Sequence, residues 1–157
     1  SRFVELADVD GDGDLDVFFG VVASGKVELR TRNRLLVNDG KGSFTDETDM
    51  RLAGPDDDTF AASFLDLDGD SDLDLVSSHT HDLDPAAILA WENDGTGRFS
   101  PATGTYFGDE RSGDILAFLA ADFDGDGAID LYIANRGQSD QLLLRKTPRK
   151  PAPRAGE

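Results

Sequence analysis

The chain of 157 residues has no cysteine, which excludes disulfides, thiolate metal sites and a cysteine nucleophile while leaving the redox compartment open. No apolar run approaches the roughly 18 residues a membrane helix needs, so no membrane insertion is expected. Basic residues are scarce: 15 Lys and Arg stand against 32 Asp and Glu, and the formal charge of −17 repels phosphate backbones and anionic lipid. Nucleic acid is not an expected partner. The chain also lacks a Gly-x-Ser-x-Gly elbow, a phosphate-binding glycine loop and an Asn-x-Ser/Thr glycosylation acceptor, and no enzymatic activity is expected. Ser1-Arg2-Phe3 leads into no apolar segment of the kind a secretory leader carries.

Glutamate is rare as well, with 6 Glu against 26 Asp. Aspartate disfavours helix interiors, favours turns, and has a short carboxylate suited to tight oxygen cages around hard cations. The bias therefore points to loops and metal. With 38% hydrophobic residues the chain can bury one sizeable core, and one compact unit is expected.

The aspartates are organised. The same nine-residue phrase starts at Asp8, Asp66 and Asp122, at intervals of 58 and 56 residues. A second phrase, Asn-Asp-Gly-x-Gly-x-Phe, spans Asn38 to Phe44 and recurs from Asn93 to Phe99, 55 residues later. A shared period of this length indicates stacked supersecondary units. Short apolar stretches precede each Asp phrase (3–7, 60–65, 116–121), follow it (15–19, 73–76, 129–133), and recur at 34–37, 88–91 and 141–144. Their length and their aromatic and branched content favour strands. The Asn-Asp-Gly phrases supply hairpin turns, and a fourth strand is expected to start near Phe44 and Phe99. Four strands per repeat is the arithmetic of a β-propeller blade.

The expected architecture is therefore all-β: three four-stranded propeller repeats at 1–53, 54–108 and 109–144, the third incomplete, forming part of a larger propeller. After Leu144 the chain has three prolines and five of its fifteen basic residues, so 145–157 reads as a disordered basic, Pro-rich tail. Three blades do not close a ring that normally takes about 4 to 8, so further blades or self-association are expected.

The Asp phrases place carboxylates at positions 1, 3, 5 and 9: Asp8, Asp10, Asp12 and Asp16; Asp66, Asp68, Asp70 and Asp74; Asp122, Asp124, Asp126 and Asp130. Alternate side chains converge on a cation, and position 7 (Asp14, Asp72, Ala128) would add its backbone carbonyl. Position 6 (Gly13, Ser71, Gly127) makes the sharp bend, as in the opening of an EF-hand calcium loop. An all-oxygen donor set selects a hard cation, calcium first, and about three ions are expected. The EF-hand itself does not fit, because position 12 holds Phe19, Ser77 and Ile133 where a bidentate Glu belongs. The last carboxylate instead falls at position 9, where the next strand starts, so the ion would tie loop to sheet in a structural role. Ser71 must adopt a backbone conformation that glycine takes freely, which makes the middle site the weakest of the three. The phrases hold 14 of the 26 Asp, and removing those charges from −17 leaves −3.

These phrases, with Asn38–Phe44 and Asn93–Phe99, resemble FG-GAP/VCBS repeats, the blades of integrin α-subunit-like propellers, over about residues 1 to 144. The resemblance implies a calcium-stabilised scaffold, extracellular, at the cell surface or periplasmic. It also implies that a protein or carbohydrate partner binds loops away from the metal, as in adhesion modules. A second reading places the chain as a non-catalytic or carbohydrate-binding part of a polysaccharide-active enzyme or lectin. A glycosidase would need two free carboxylates at a defined separation, and most candidates are claimed by calcium.

Three further features admit two readings each. His79-x-His81 could offer two imidazoles to a transition metal, or lie in a polar loop between strands. Asp56-Asp57-Asp58 could form an acidic patch, or solvate a connection. Trp91, Tyr106 and Phe107 could stack on sugar rings, or pack in the core.

Overall fold

The structure, a computed structural model, describes residues 3–22, 32–52, 59–79, 87–107 and 114–145. In the first repeat, strands β1 (Phe3–Ala7), β2 (Asp16–Gly20), β3 (Arg34–Asn38) and β4 (Phe44–Asp46) pair in chain order as an antiparallel sheet. A helical turn, α1 (Thr48–Arg51), follows. The second repeat copies the first with β5 (Thr59–Leu65), β6 (Asp74–His79), β7 (Ala87–Asn93), β8 (Phe99–Pro101) and the turn α2 (Thr103–Tyr106). The third consists of β9 (Asp114–Ala121), β10 (Asp130–Arg136) and β11 (Gln141–Leu143), with β10 in the middle. The chain is thus mostly β, built of three propeller-type blades of four, four and three strands. No sheet closes on itself among the described residues.

The first strands of successive blades are neighbours, β1 beside β5 and β5 beside β9, so the blades fan out from a common side. Each sheet buries side chains on the faces it turns to a neighbouring blade. Phe18 and Leu35 of the first blade meet Ala62, Leu75, Trp91 and Phe99 of the second in one cluster. Leu65, Val76 and Ile88, on the opposite face of the second blade, meet Ile115, Leu131 and Ile133 of the third in another. Burying each such side chain fully contributes about 1.5–3 kcal/mol, so the blade interfaces are the core. β6 lies between both neighbours and is buried at every residue.

Burial overturns the polar-loop reading of His79 and bears out the core reading of Trp91 and Phe107. His79 lies at the buried end of β6, in no polar loop, with Nε2 3.1 Å from Ser77 Oγ and its ring 6.2 Å from that of Trp91. His81 and Asp56 to Asp58 lie outside the described residues. Trp91 and Phe107 are core residues and present no stacking face to a sugar. Tyr106 is half-buried, and its hydroxyl donates to Glu92 Oε1 at 2.6 Å.

The helical turns were not expected from the sequence. Each presents a threonine to its own sheet: the Leu35 amide donates to Thr48 Oγ1 at 2.9 Å, and the Ala90 amide to Thr103 Oγ1 at 3.0 Å. The hydroxyl thus satisfies a strand amide where the short outer strand has ended.

Candidate metal centres

Each Asp phrase connects the first two strands of its blade, and its shape is set by carboxylates that accept backbone amides. Asp8 accepts from Gly11 at 2.8 Å, Asp12 at 3.1 Å and Gly13 at 2.9 Å. Asp66 accepts from Gly69 at 2.6 Å and Ser71 at 3.0 Å. Asp122 accepts from Gly125 at 2.6 Å, Asp126 at 3.2 Å and Gly127 at 3.0 Å. Position 5 turns back on position 7, with Asp12, Asp70 and Asp126 accepting from the amides of Asp14, Asp72 and Ala128 at 2.9, 2.9 and 2.8 Å. The phrase is a preformed ring of oxygens.

Three carboxylates converge in each loop, with one oxygen from each lying within 4.8 Å of the others: Asp8, Asp10 and Asp16; Asp66, Asp68 and Asp70; Asp122, Asp124 and Asp130. The sequence expects positions 1, 3, 5 and 9 to act alike. The structure groups positions 1, 3 and 9 in the outer loops and positions 1, 3 and 5 in the middle one. The amide of position 5 varies between the loops: Asp12 donates to Asp8, Asp126 is shared between Asp122 at 3.2 Å and Asp124 at 3.1 Å, and Asp70 donates to Asp68 at 3.0 Å. Asp14 and Asp72 direct their carboxylates elsewhere, against Gly40 and Gly95 of the hairpins, where a Cβ would come within 2.2 and 2.5 Å of Oδ2. Both glycines also have positive φ, 70° and 78°, so the Asn-Asp-Gly phrases are tied to the Asp loops by space as well as by turn geometry.

Position 9 is buried in all three loops and bridges two segments of backbone. Asp16 accepts from Val9 at 3.0 Å and Asn38 at 2.8 Å; Asp74 accepts from Leu67 and Asn93, both at 2.7 Å; Asp130 accepts from Phe123 at 2.8 Å and Arg145 at 2.7 Å. The tie between loop and sheet that the sequence assigns to an ion is made by this carboxylate. Burial pushes the Asp74 carboxyl up to about 6, against the two amides that favour its charged form and helped by the nearby charges of Asp68 and Asp70. Burial also raises Asp68, as do the neighbouring charges of Asp70 and Asp66.

The first loop has a further feature. Burial, with Asp12 and Asp16 adding repulsion, raises the Asp10 carboxyl. Its Oδ2 lies 3.1 Å from Arg51 Nη2, while its Oδ1 is buried with no hydrogen-bond partner among the described residues. A buried carboxylate oxygen without a partner is costly unless a ligand meets it, and here it belongs to an all-oxygen cluster suited to a hard divalent cation. The residues present fit calcium.

A family model for the FG-GAP-like repeat matches residues 8–77 and 80–133. The chain belongs to the FG-GAP-like repeat family. No curated protein matches it. FG-GAP-like repeats are typically structural modules without catalytic activity and are typical of extracellular proteins. No helix among the described residues is long and apolar enough to cross a membrane.

Sequence reasoning missed the residues that lock the first and second FG-GAP-like loops to the following blade. Asn93 Nδ2 donates to Leu73 O within its own blade at 3.1 Å and to Val9 O of the first loop at 2.7 Å. Arg51 joins loop, helical turn and neighbouring hairpin, with Nε 2.6 Å from Glu47 Oε2 and Nη1 donating to the Thr96 carbonyl. Arg145, assigned by sequence to the disordered tail, occupies in the third blade the register position of Asn93. Its amide fills Asp130, its Nη1 donates to Asp66 O of the preceding loop at 2.9 Å, and its guanidinium lies 5.7 Å from the Tyr106 ring centre. The tail reading therefore fails at its first residue, and 146–157 lie outside the described residues.

Proposed function

We propose that the chain is a calcium-binding structural and interaction module of an extracellular, cell-surface or periplasmic protein, in which calcium holds the Asp loops in the shape that locks blade to blade. The observation that carries this reading is the convergence of three carboxylates in all three loops, one of them with a buried oxygen that has no hydrogen-bond partner among the described residues. Asp8, Asp10 and Asp16, Asp66, Asp68 and Asp70, and Asp122, Asp124 and Asp130 hold the ions. A bound cation supplies the positive charge that lets these carboxylates stay ionised side by side. Because Asn93, Arg51 and Arg145 anchor the same loops to neighbouring blades, ordering a loop also orders an interface. A protein or carbohydrate partner then meets variable loops on a scaffold that contributes rigidity and no chemistry.

Calorimetric titration tests this reading. We expect about three calcium ions per chain and little response to magnesium, which demands a near-octahedral shell that a carboxylate ring of this kind does not supply. Asp8→Ala, Asp66→Ala and Asp122→Ala should each remove one ion. Undiminished stoichiometry in these variants would refute the assignment.

Ser71 is the one non-glycine residue with positive φ among those described, at 84°. A left-handed backbone costs an L-residue about 1–2 kcal/mol relative to glycine. Ser71→Gly is therefore expected to stabilise the protein by about 1 kcal/mol in denaturant titration and to tighten the middle site, which Ser71 otherwise makes the weakest of the three. A neutral or destabilising Ser71→Gly would show that the serine is not strained.

A further inference from the structure

Four exposed apolar residues of the two terminal blades, Leu6, Phe44, Phe123 and Leu142, occupy register positions whose counterparts in the second blade lie in the blade interfaces. On the first blade, Leu6, the half-buried Leu36 and Phe44 correspond to Phe64, Trp91 and Phe99, which pack against the first blade. Phe44 is 47% exposed where Phe99 is 3% exposed, and Leu6 is 56% exposed. On the third blade, Phe123 corresponds to Val9 and Leu67, and Leu142 to Leu35 and Ala90. Phe123 and Leu142 are 44% and 45% exposed, whereas their four counterparts are at most 2% exposed.

The exposed faces are therefore of opposite kinds. The first blade shows the surface with which a blade receives its predecessor, and the third shows the surface with which a blade receives its successor. Inside the chain these two kinds of surface mate twice. The polar latch obeys the same rule. Asn93 Nδ2 makes one bond to its own blade and one to Val9 O of the preceding loop. Asn38, its counterpart, makes the bond to its own blade, to Leu15 O at 3.1 Å, and no second one among the described residues. The carbonyl equivalent to Val9 O in the third loop is that of Phe123.

We propose that a second copy of this chain docks head to tail, its third blade covering the first blade of its partner, with Asn38 of one copy latching the Phe123 carbonyl of the other. The interface continues the one already made twice within each chain and so needs no new complementarity. It is heterologous, and such contacts either close into rings or run on as open fibres. The three described blades of each of two copies make six, within the roughly 4 to 8 that close a propeller, so two copies can satisfy the contact twice in one dimer. The charge of −17 on each copy opposes association, but at about 0.15 M salt the screening length is roughly 8 Å and short-range apolar burial prevails. The inference rests on the register of the strands and is independent of which ion the loops hold.

Sedimentation velocity of the full chain at about 0.15 M salt with 1 mM calcium, as a working condition of roughly that order, is the test. We expect a species of twice the 16.9 kDa chain mass. Leu6→Glu and Phe44→Glu block one face and Leu142→Glu the other. All three sites are exposed, so each variant should keep the wild-type circular dichroism spectrum, and each alone should weaken association at least about 100-fold, as charging a central contact does. An equimolar mixture of Leu6→Glu and Leu142→Glu should form a dimer again, held by one contact and open at the other, because the intact third blade of the first variant meets the intact first blade of the second. A two-fold contact between like faces predicts no such rescue. A monomeric wild type, or a folded pair of variants that fails to reassociate, would overturn the proposal and assign the faces to the blades of a longer chain.

Discussion

Asp74→Ala is expected to destabilise the protein by about 3 kcal/mol in chelator, far more than Asp12→Ala, although both remove one aspartate from an Asp phrase. Asp74 is buried and accepts the amides of Leu67 and Asn93, both at 2.7 Å. Truncation leaves two interior donors without an acceptor, at about 1–3 kcal/mol each, less the relief of no longer holding a carboxylate away from water. Asp12 accepts one amide on an exposed loop, where water replaces it. Loss at Asp74 also reaches the neighbouring blade, since the strand it positions carries Asn93, whose side chain latches Val9 O. Equal losses for the two variants in chelator would mean that position 9 is only a metal ligand.

The same group sets a pH dependence. Its carboxyl is raised from 3.8 when unfolded to about 6 when folded, so the stability linked to its protonated form is fully present below pH 3.8 and is lost as pH rises through 6. Chelated wild-type protein should therefore lose stability between about pH 4 and 6 relative to Asp74→Asn, which does not titrate. Parallel pH profiles for the two proteins would show that burial leaves this carboxyl unperturbed.

Blades and loops were legible because both are written locally. An Asp phrase between two short apolar stretches specifies a β-turn-β unit, and the Asn-Asp-Gly phrase specifies the next hairpin. What stayed hidden depends on neighbours. Nothing in Asp74–His79 shows that a third blade covers its second face, so His79 reads as part of a polar loop when it, like Ser77 and Ser78 beside it, is buried. Thr48–Arg51 and Thr103–Tyr106 are too short for a helical period, and the role of each threonine depends on an amide 13 residues away. Arg145 shares neither size nor chemistry with Asn93, and only strand register shows that they occupy one position. At position 9 the sequence shows a carboxylate on the metal side of the loop, but not the two amides behind it.

Calcium is expected to raise the thermal midpoint substantially, and the magnitude follows from linkage. At tenfold excess over Kd each site stabilises the folded state by about 1.4 kcal/mol, so three sites contribute about 4 kcal/mol against a typical total of about 5–15. For a chain of this size that is roughly 8–16 °C. The electrostatic basis is local: 14 of the 26 aspartates lie in three phrases, and their mutual repulsion rises steeply as oxygens approach within 4.8 Å of one another. Screening by monovalent salt relieves part of this, so the gain over chelator should shrink at high sodium chloride yet persist, because a divalent ion coordinated by the oxygens does more than screen. Circular dichroism melts in calcium, magnesium and chelator, repeated with Asp8→Ala, Asp66→Ala and Asp122→Ala, separate the contributions. Each variant should forfeit about a third of the calcium-dependent gain, and a variant lacking all three should melt alike in calcium and chelator. If magnesium matches calcium, the loops do not select calcium; if the triple variant keeps its gain, the loops hold their shape through the amide ring alone and the stabilising ion binds elsewhere.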